Sequence, residues 1–135
     1  MDYVLDACAV IALLNDEDGA DTVAGLITRA GVGTDRLFMS GIQALEVYYD
    51  RIYIKGREYA ETVLESLYAS PIIILQEITR DIIQEAGRFK TSYSMSLGDT
   101  FAAASAKKLA AALVTRDKEM KALEEAGEFS VLWLN

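Results

Sequence analysis

Four acidic residues, Asp6, Glu46, Asp99 and Asp117, are the side chains of this sequence best placed to do chemistry. Asp6 closes the apolar run Tyr3-Val4-Leu5, and Asp117 follows the run Ala111-Ala112-Leu113-Val114-Thr115. Asp99 opens an alanine-rich helical stretch, and Glu46 falls on what the spacing of Ile42, Leu45, Tyr49 and Ile52 predicts to be the buried stripe of a helix. Carboxylates at strand ends and helix starts, gathered across a parallel sheet, make an all-oxygen cage suited to Mg²⁺ or Mn²⁺. Such a cage points to metal-assisted phosphodiester hydrolysis, with one or two ions, about 3.5–4 Å apart if two, activating water and neutralising phosphate charge.

Each acid also has a structural explanation. Asp is favoured at N-caps, where it accepts backbone N–H bonds, and Asp6 and Asp117 both stand at strand-to-helix junctions. Asp99 lies three residues after Ser96, in the pattern of a capping box. Glu46 resists this reading, because a carboxylate at the edge of a buried face is costly unless it is paired or metal-bound. A salt bridge to Arg would satisfy it as well as a metal. Four unrelated caps need not converge, however, whereas acids on neighbouring parallel strands meet at the carboxyl edge of the sheet.

The elements that must position these acids alternate between short apolar runs and longer helical patterns. Strands are expected at Tyr3–Asp6, Leu37–Ser40, Ile72–Leu75, Ala112–Thr115 and Val131–Leu134. Helices are expected at Ala9–Leu14, Ala20–Ala30, Ile42–Lys55, Glu58–Tyr68, Thr79–Phe89, Asp99–Lys108 and Lys118–Ala126. This alternation predicts a three-layer α/β/α domain with a central, mainly parallel sheet, spanning residues 1–135 as one domain.

Composition narrows the chemistry. The chain has 135 residues, 52% hydrophobic and 25% charged, an ordinary globular balance. It has no His, which removes Ser-His-Asp and Cys-His nucleophiles and every His-containing zinc site. Its single Cys8 can form neither an internal disulfide nor a thiolate cluster, and the reducing cytoplasm is the expected compartment. Asp2 and Asp6 interrupt the first segment, so no signal peptide is read there, and no apolar run reaches the ~18 residues of a membrane span. The net charge of −8 is awkward for a nucleic-acid enzyme, since Lys and Arg supply most phosphate affinity. Either nucleic acid is not the substrate, or binding is local and metal-bridged; the grouped basic residues Arg51, Lys55 and Arg57 and Arg116, Lys118 and Lys121 permit the second reading. An acidic surface also attracts a basic protein partner.

Four segments, Y-V-L-D-A-C-A-V-I-A-L-L from Tyr3, S-G-I-Q-A-L-E-V from Ser40, S-L-G-D-T-F-A-A-A-S-A from Ser96 and L-V-T-R-D from Leu113, together resemble a PIN domain. The likeness runs from Tyr3 to Leu134 and is nearest to small ribonucleases of the VapC toxin kind. It implies that Asp6 and Asp99 are the principal metal ligands, that Glu46 is the helix acid, and that Asp117 acts through water or a second ion. Thr115 and Ser40 match accessory hydroxyl positions of the family, and Arg116, beside the last acid, is a candidate phosphate contact. After its first Asp the family often carries Thr-Ser or Thr-Asn; here the pair is Ala7-Cys8, which implies weaker metal affinity or a shift toward Mn²⁺. The resemblance further implies an RNA substrate, a homodimer, in which the aromatic helix Tyr48–Tyr53 would take part, and a small basic antitoxin.

The same acids admit two other functions and disfavour two more. A solitary nuclease without an antitoxin keeps the same chemistry, and a non-catalytic acidic module would use the carboxylates only for docking. A receiver domain is disfavoured because Ile72–Leu75 is followed by Gln76 and Glu77 rather than Asp, and a D-x-D phosphatase because position 8 is Cys.

Overall fold

The computed structural model describes all residues from Met1 to Asn135. Five strands, β1 (Asp2–Leu5), β2 (Arg36–Ser40), β3 (Ile73–Leu75), β4 (Ala112–Thr115) and β5 (Val131–Trp133), form one sheet in the order β3-β2-β1-β4-β5. Every pairing is parallel: Tyr3 pairs with Leu37 and Ala112, Met39 with Ile74, and Val114 with Leu132. Helices α1 (Ala7–Leu14), α2 (Ala20–Gly31), α3 (Gly41–Lys55), α4 (Arg57–Ala69), α5 (Arg80–Ser92), α6 (Leu97–Leu109) and α7 (Lys121–Glu125) fill the connections.

The central strands β1, β2 and β4 are covered on both faces, while the outer β3 and β5 are only partly buried, and the side chains divide by the strand period of two. Leu5, Leu37, Met39 and Val114 face a core shared with α1, α2, α3 and α4. Val4, Phe38 and Leu113 face a second core built with α5, α6 and α7. The result is the three-layer α/β/α arrangement expected from the alternation of elements. Small side chains set the depth of the second layer: Ala102, Ala103, Ala104 and Ala106 of α6 are all fully buried, so that helix lies close against the sheet. No helix is long and apolar enough to cross a membrane.

The strand order decides where a site can form. From β1 the chain winds outward through β2 to β3, then returns to the other side of β1 to lay down β4 and β5. Loops leaving β1 and β4 therefore diverge to opposite faces, opening a crevice at the carboxyl edge between them. Asp6 and Asp117 are the residues at and just beyond those two strand ends.

Two expectations are corrected. The helix expected over Lys118–Ala126 is broken into a 3-10 turn, Lys118–Met120, and α7. More importantly, the stripe of Ile42, Leu45, Tyr49 and Ile52 is not the buried face of α3: Leu45 is 52% and Tyr49 45% exposed, while Gln43, Ala44, Val47 and Arg51 are buried. The buried face follows the same helical period but includes two polar side chains, each satisfied by specific partners that hydropathy does not register.

Candidate metal centre

Asp6 is the N-cap of α1 and is almost completely buried. Its backbone N–H donates to Val114 O at 3.0 Å, extending the β1–β4 ladder by one bond and fixing the residue beside β4. Its Oδ1 accepts from Ala7 N at 2.8 Å and its Oδ2 from the Thr115 hydroxyl at 2.8 Å. Asp117 caps the 3-10 turn, with Oδ1 accepting from Glu119 N at 3.0 Å, and its own N–H donates to Thr115 Oγ1 at 3.0 Å. Thr115 is thus a fully buried hydroxyl joining the two acids, receiving from one backbone and giving to the other side chain. Asp99 lies in the first turn of α6, where its N–H donates to the Ser96 cap at 3.3 Å.

These three side chains converge: Asp6, Asp99 and Asp117 each offer an oxygen, and the three oxygens lie within 4.8 Å of one another. Capping and convergence are compatible, because each carboxylate oxygen has two lone pairs and the caps take only one position on a given oxygen. Glu46 stands beside this trio rather than within it. Its Oε1 is shut away from solvent with no hydrogen-bond partner, pressed against Gly98, where a Cβ would overlap that oxygen. Glycine at position 98 is what lets the α3 carboxylate come this close to the turn carrying Asp99.

The electrostatics are those of uncompensated negative charge. None of the ion pairs in the structure involves Asp6, Glu46, Asp99 or Asp117. Burial raises the Asp6 carboxyl above its ordinary range, more than the Thr115 and Ala7 hydrogen bonds lower it. Asp99 is pushed up to about 8, by burial first, then by the charge of Asp6, then by Asp117, which accepts a bond from its protonated form. Glu46 is raised by burial and by the charge of Asp6. Gathered carboxylates that oppose one another's ionisation are stabilised by a divalent cation, which replaces the missing countercharge. The donor set is all oxygen and hard, and the buried Glu46 oxygen beside it is an acceptor without a partner; the residues fit Mg²⁺ or Mn²⁺.

The accessory residues divide. Thr115 is in the carboxylate network. Ser40 is the N-cap of α3, with its hydroxyl accepting from Ile42 N at 3.2 Å, and makes no hydrogen bond to the acids. Arg116 is turned to Glu17 at 2.7 Å. Cys8, which the sequence places beside the site, and Gln43, which it does not single out, also belong to the neighbourhood. Cys8 Sγ lies 3.4 Å from Thr115 Oγ1 and 3.5 Å from Arg116 N. Gln43 bonds to the backbone on both sides of the crevice, and its only sequence signal was a polar residue one turn before Glu46.

Similarity to known proteins agrees with this geometry. No curated protein sequence matches the chain. Among solved structures, VapBC2 from Rickettsia felis, bound to a DNA fragment from its promoter, superposes with a TM-score of 0.75 at 18% identity, covering 100% of both chains. VapBC-1 from nontypeable Haemophilus influenzae gives 0.74 at 22% identity, covering 99% of this chain and 98% of the other. VapC20 of Mycobacterium tuberculosis, a toxin that cleaves the sarcin–ricin loop, gives 0.64 at 16% identity over 90% of this chain and 94% of its own. At these identities the structural likeness establishes the fold. The family model for the PIN domain matches residues 3–126, which covers both strand-end acids, the helix acid and Asp99, and the chain is a member of the PIN domain family.

Proposed function

We propose that this protein is a divalent-metal-dependent endoribonuclease, the toxin of a toxin–antitoxin pair, folded as one PIN domain and acting in the cytoplasm. The observation that carries the reading is the meeting of Asp6, Asp99 and Asp117 oxygens within 4.8 Å, with no cationic side chain paired to any of them. In a docking module the same acids would be expected at the surface, yet Asp6 is 3% exposed. The structural likeness to toxin–antitoxin assemblies from several bacteria supports a protein partner, and the sarcin–ricin specificity of one relative supports structured RNA as substrate.

Asp6 and Asp99 would hold the ion, with Asp117 completing the set directly or through water. When bound, Mg²⁺ or Mn²⁺ supplies Lewis-acid polarisation of the phosphate and water of lowered pKa, the part a His base would otherwise play. Thr115 keeps the Asp6 carboxylate oriented by donating to Oδ2, and the α1 cap holds Oδ1. Glu46 stands beside the set with its Oε1 unpartnered against Gly98 and its carboxyl raised by burial and by the charge of Asp6, so a bound cation would relieve its uncompensated charge as well. A basic antitoxin side chain entering the crevice would pair with the same carboxylates and compete with the metal. A homodimer is part of this proposal, and the exposed Leu45, Tyr49 and Tyr53 beside the crevice give it an apolar surface to use.

The test is cleavage of structured and single-stranded RNA by purified protein with Mg²⁺ or Mn²⁺, and its arrest by EDTA. Absence of cleavage under both metals, with Mn²⁺ nevertheless bound, would favour the non-catalytic module.

A further inference from the structure

Gln43 is completely buried on α3, although nothing in its hydropathy favours that. Its carboxamide spans two helix starts: Oε1 accepts from Ala7 N at 3.0 Å, and Nε2 donates to Gly98 O at 2.7 Å. Ala7 directly follows Asp6, Gly98 directly precedes Asp99, and Glu46 lies one turn beyond Gln43 on the same helix. A single side chain therefore grips the backbone next to two acids and shares its helix with a third.

The chemistry of the bridge is specific. One end must accept from an N–H and the other must donate to a carbonyl, which a neutral carboxamide does and an ionised carboxylate does not. Asn is one methylene shorter, and Met matches the length with neither function. The Ala7 N–H is shared, since it also donates to Asp6 Oδ1 at 2.8 Å. Such a three-centre bond divides the N–H between two acceptors and leaves Oδ1 less committed to capping. On the far side, the absent Cβ of Gly98 admits Glu46 against the same turn that Gln43 holds.

We propose that Gln43 is a positioning residue: its carboxamide sets the spacing between the starts of α1 and α6, so that Asp6 and Asp99 ligate one cation without first having to be brought together. The role rests on the metal-dependent reading above. Partners that orient ligands in this way typically govern metal affinity by about 10–100-fold.

The experiment measures Mn²⁺ affinity calorimetrically without RNA, then kcat and KM for RNA cleavage across Mn²⁺ concentrations. Gln43→Met should weaken Mn²⁺ at least tenfold, leave the KM for RNA unchanged, and lose kcat in a way that excess Mn²⁺ restores. Gln43→Asn retains polar groups and is the safer variant for folding; it should show the same loss in smaller measure. Leu67→Ala, in the core under α4, controls for general destabilisation and should keep the wild-type Mn²⁺ affinity despite a lower thermal midpoint. Wild-type Mn²⁺ affinity in either Gln43 variant, or equal weakening by Leu67→Ala, overturns the proposal. Failure of the wild-type protein to bind Mn²⁺ overturns the metal reading itself, and the positioning role with it, before any variant is compared.

Discussion

The two edges of the sheet treat carboxylates in opposite ways. At the amino edge, just before β5, Glu128 accepts from both Arg88 terminal nitrogens at 2.9 Å, from Tyr93 at 2.7 Å and from Lys107 at 3.2 Å. Arg88 above all, then Tyr93 and Lys107, hold its carboxyl down at about 2. Nearby, Asp2 pairs with Arg36 at 2.6 Å, and Asp35 with Arg29 at 2.8 Å and with the N-terminus at 3.2 Å. At the carboxyl edge Arg116 goes to Glu17, while Asp6, Glu46, Asp99 and Asp117 have no cation, and Asp99 is driven up to about 8. The chain clearly can supply Arg and Lys to its acids, and at the amino edge it does. Where it does not, the negative charge is left for something outside the chain, which is how a functional site differs from a structural ion pair.

The largest effects should come from removing charge at the carboxyl edge. Asp6→Asn and Asp99→Asn should each lower RNA cleavage by a factor of roughly 10²–10³ or more, the usual loss when one electrostatic partner of a transition state is removed. The metal-free protein should melt at the same or a higher temperature, because a like charge has gone. Full activity in either variant would break the contrast between the edges. At the amino edge the expectation reverses: Glu128→Gln should leave cleavage unchanged but cost about 2 kcal/mol of stability, since it strips a carboxylate from several charge-assisted bonds. Chemical denaturation reads that loss directly.

Much of this was legible in the sequence, for reasons that show where reading stops. The strands betrayed themselves through apolar runs such as Ile72-Ile73-Ile74-Leu75 and the helices through their caps, and Ser96 does accept from the Asp99 N–H as the capping pattern anticipates. Asp6 and Asp117 could be singled out because strand ends in a parallel sheet share an edge, whereas Asp99 was read from its helix start and Glu46 from its place beside an apolar stripe. Strand order could not be read, because pairing depends on contacts distant along the chain. The buried face of α3 was misassigned because Leu45 and Tyr49 outscore Gln43 and Arg51 in hydropathy. Arg51 is buried because it finds Asn15 at 3.0 Å and Asp50 at 2.6 Å, and Gln43 because it finds Ala7 and Gly98. Partners of this kind are supplied by other elements and leave no periodic trace.

The same contrast predicts two opposed limbs in the pH dependence of the metal-free protein. Glu128 has a folded pKa near 2, below its ordinary 4.5, so its stabilisation is present above that ordinary value and lost as pH falls toward 2. Asp99 has a folded pKa near 8, above its ordinary 3.8, so the folded state binds the extra proton. Its contribution is complete below about pH 4 and disappears as pH rises toward 8. The thermal midpoint should therefore peak in mildly acidic solution. Asp99→Asn should flatten the alkaline limb and Glu128→Gln the acid limb, while Mn²⁺ should raise the midpoint most at pH 8, where it replaces the lost proton. A midpoint that climbs steadily from pH 5 to 8 without metal would contradict the assignment of charge at the carboxyl edge.

The smallest expected effect lies inside that edge, at Cys8. Thr115 has a single hydroxyl proton, and the bond to Asp6 Oδ2 at 2.8 Å uses it, so at the 3.4 Å contact with Thr115 the Cys8 thiol must be the donor. Burial, followed by the charge of Asp6, pushes that thiol up to about 11, so it remains protonated at neutral pH and supplies only a weak S–H donor. A serine hydroxyl in its place donates more strongly to Thr115 Oγ1. That bond polarises the Thr115 hydroxyl toward Asp6, through the same short chain that orients the carboxylate. Cys8→Ser also replaces a soft atom beside the site with a hard oxygen, which favours Mg²⁺ relative to Mn²⁺. The variant should tighten Mg²⁺ by less than the roughly tenfold that a partner bonded directly to a ligand commands, while changing Mn²⁺ affinity little, a difference measurable by competition between the two ions. No shift for either metal would place Cys8 outside the chain of bonds leading to Asp6, whereas equal shifts for both would keep that chain and show that the softness of sulfur does not set the preference.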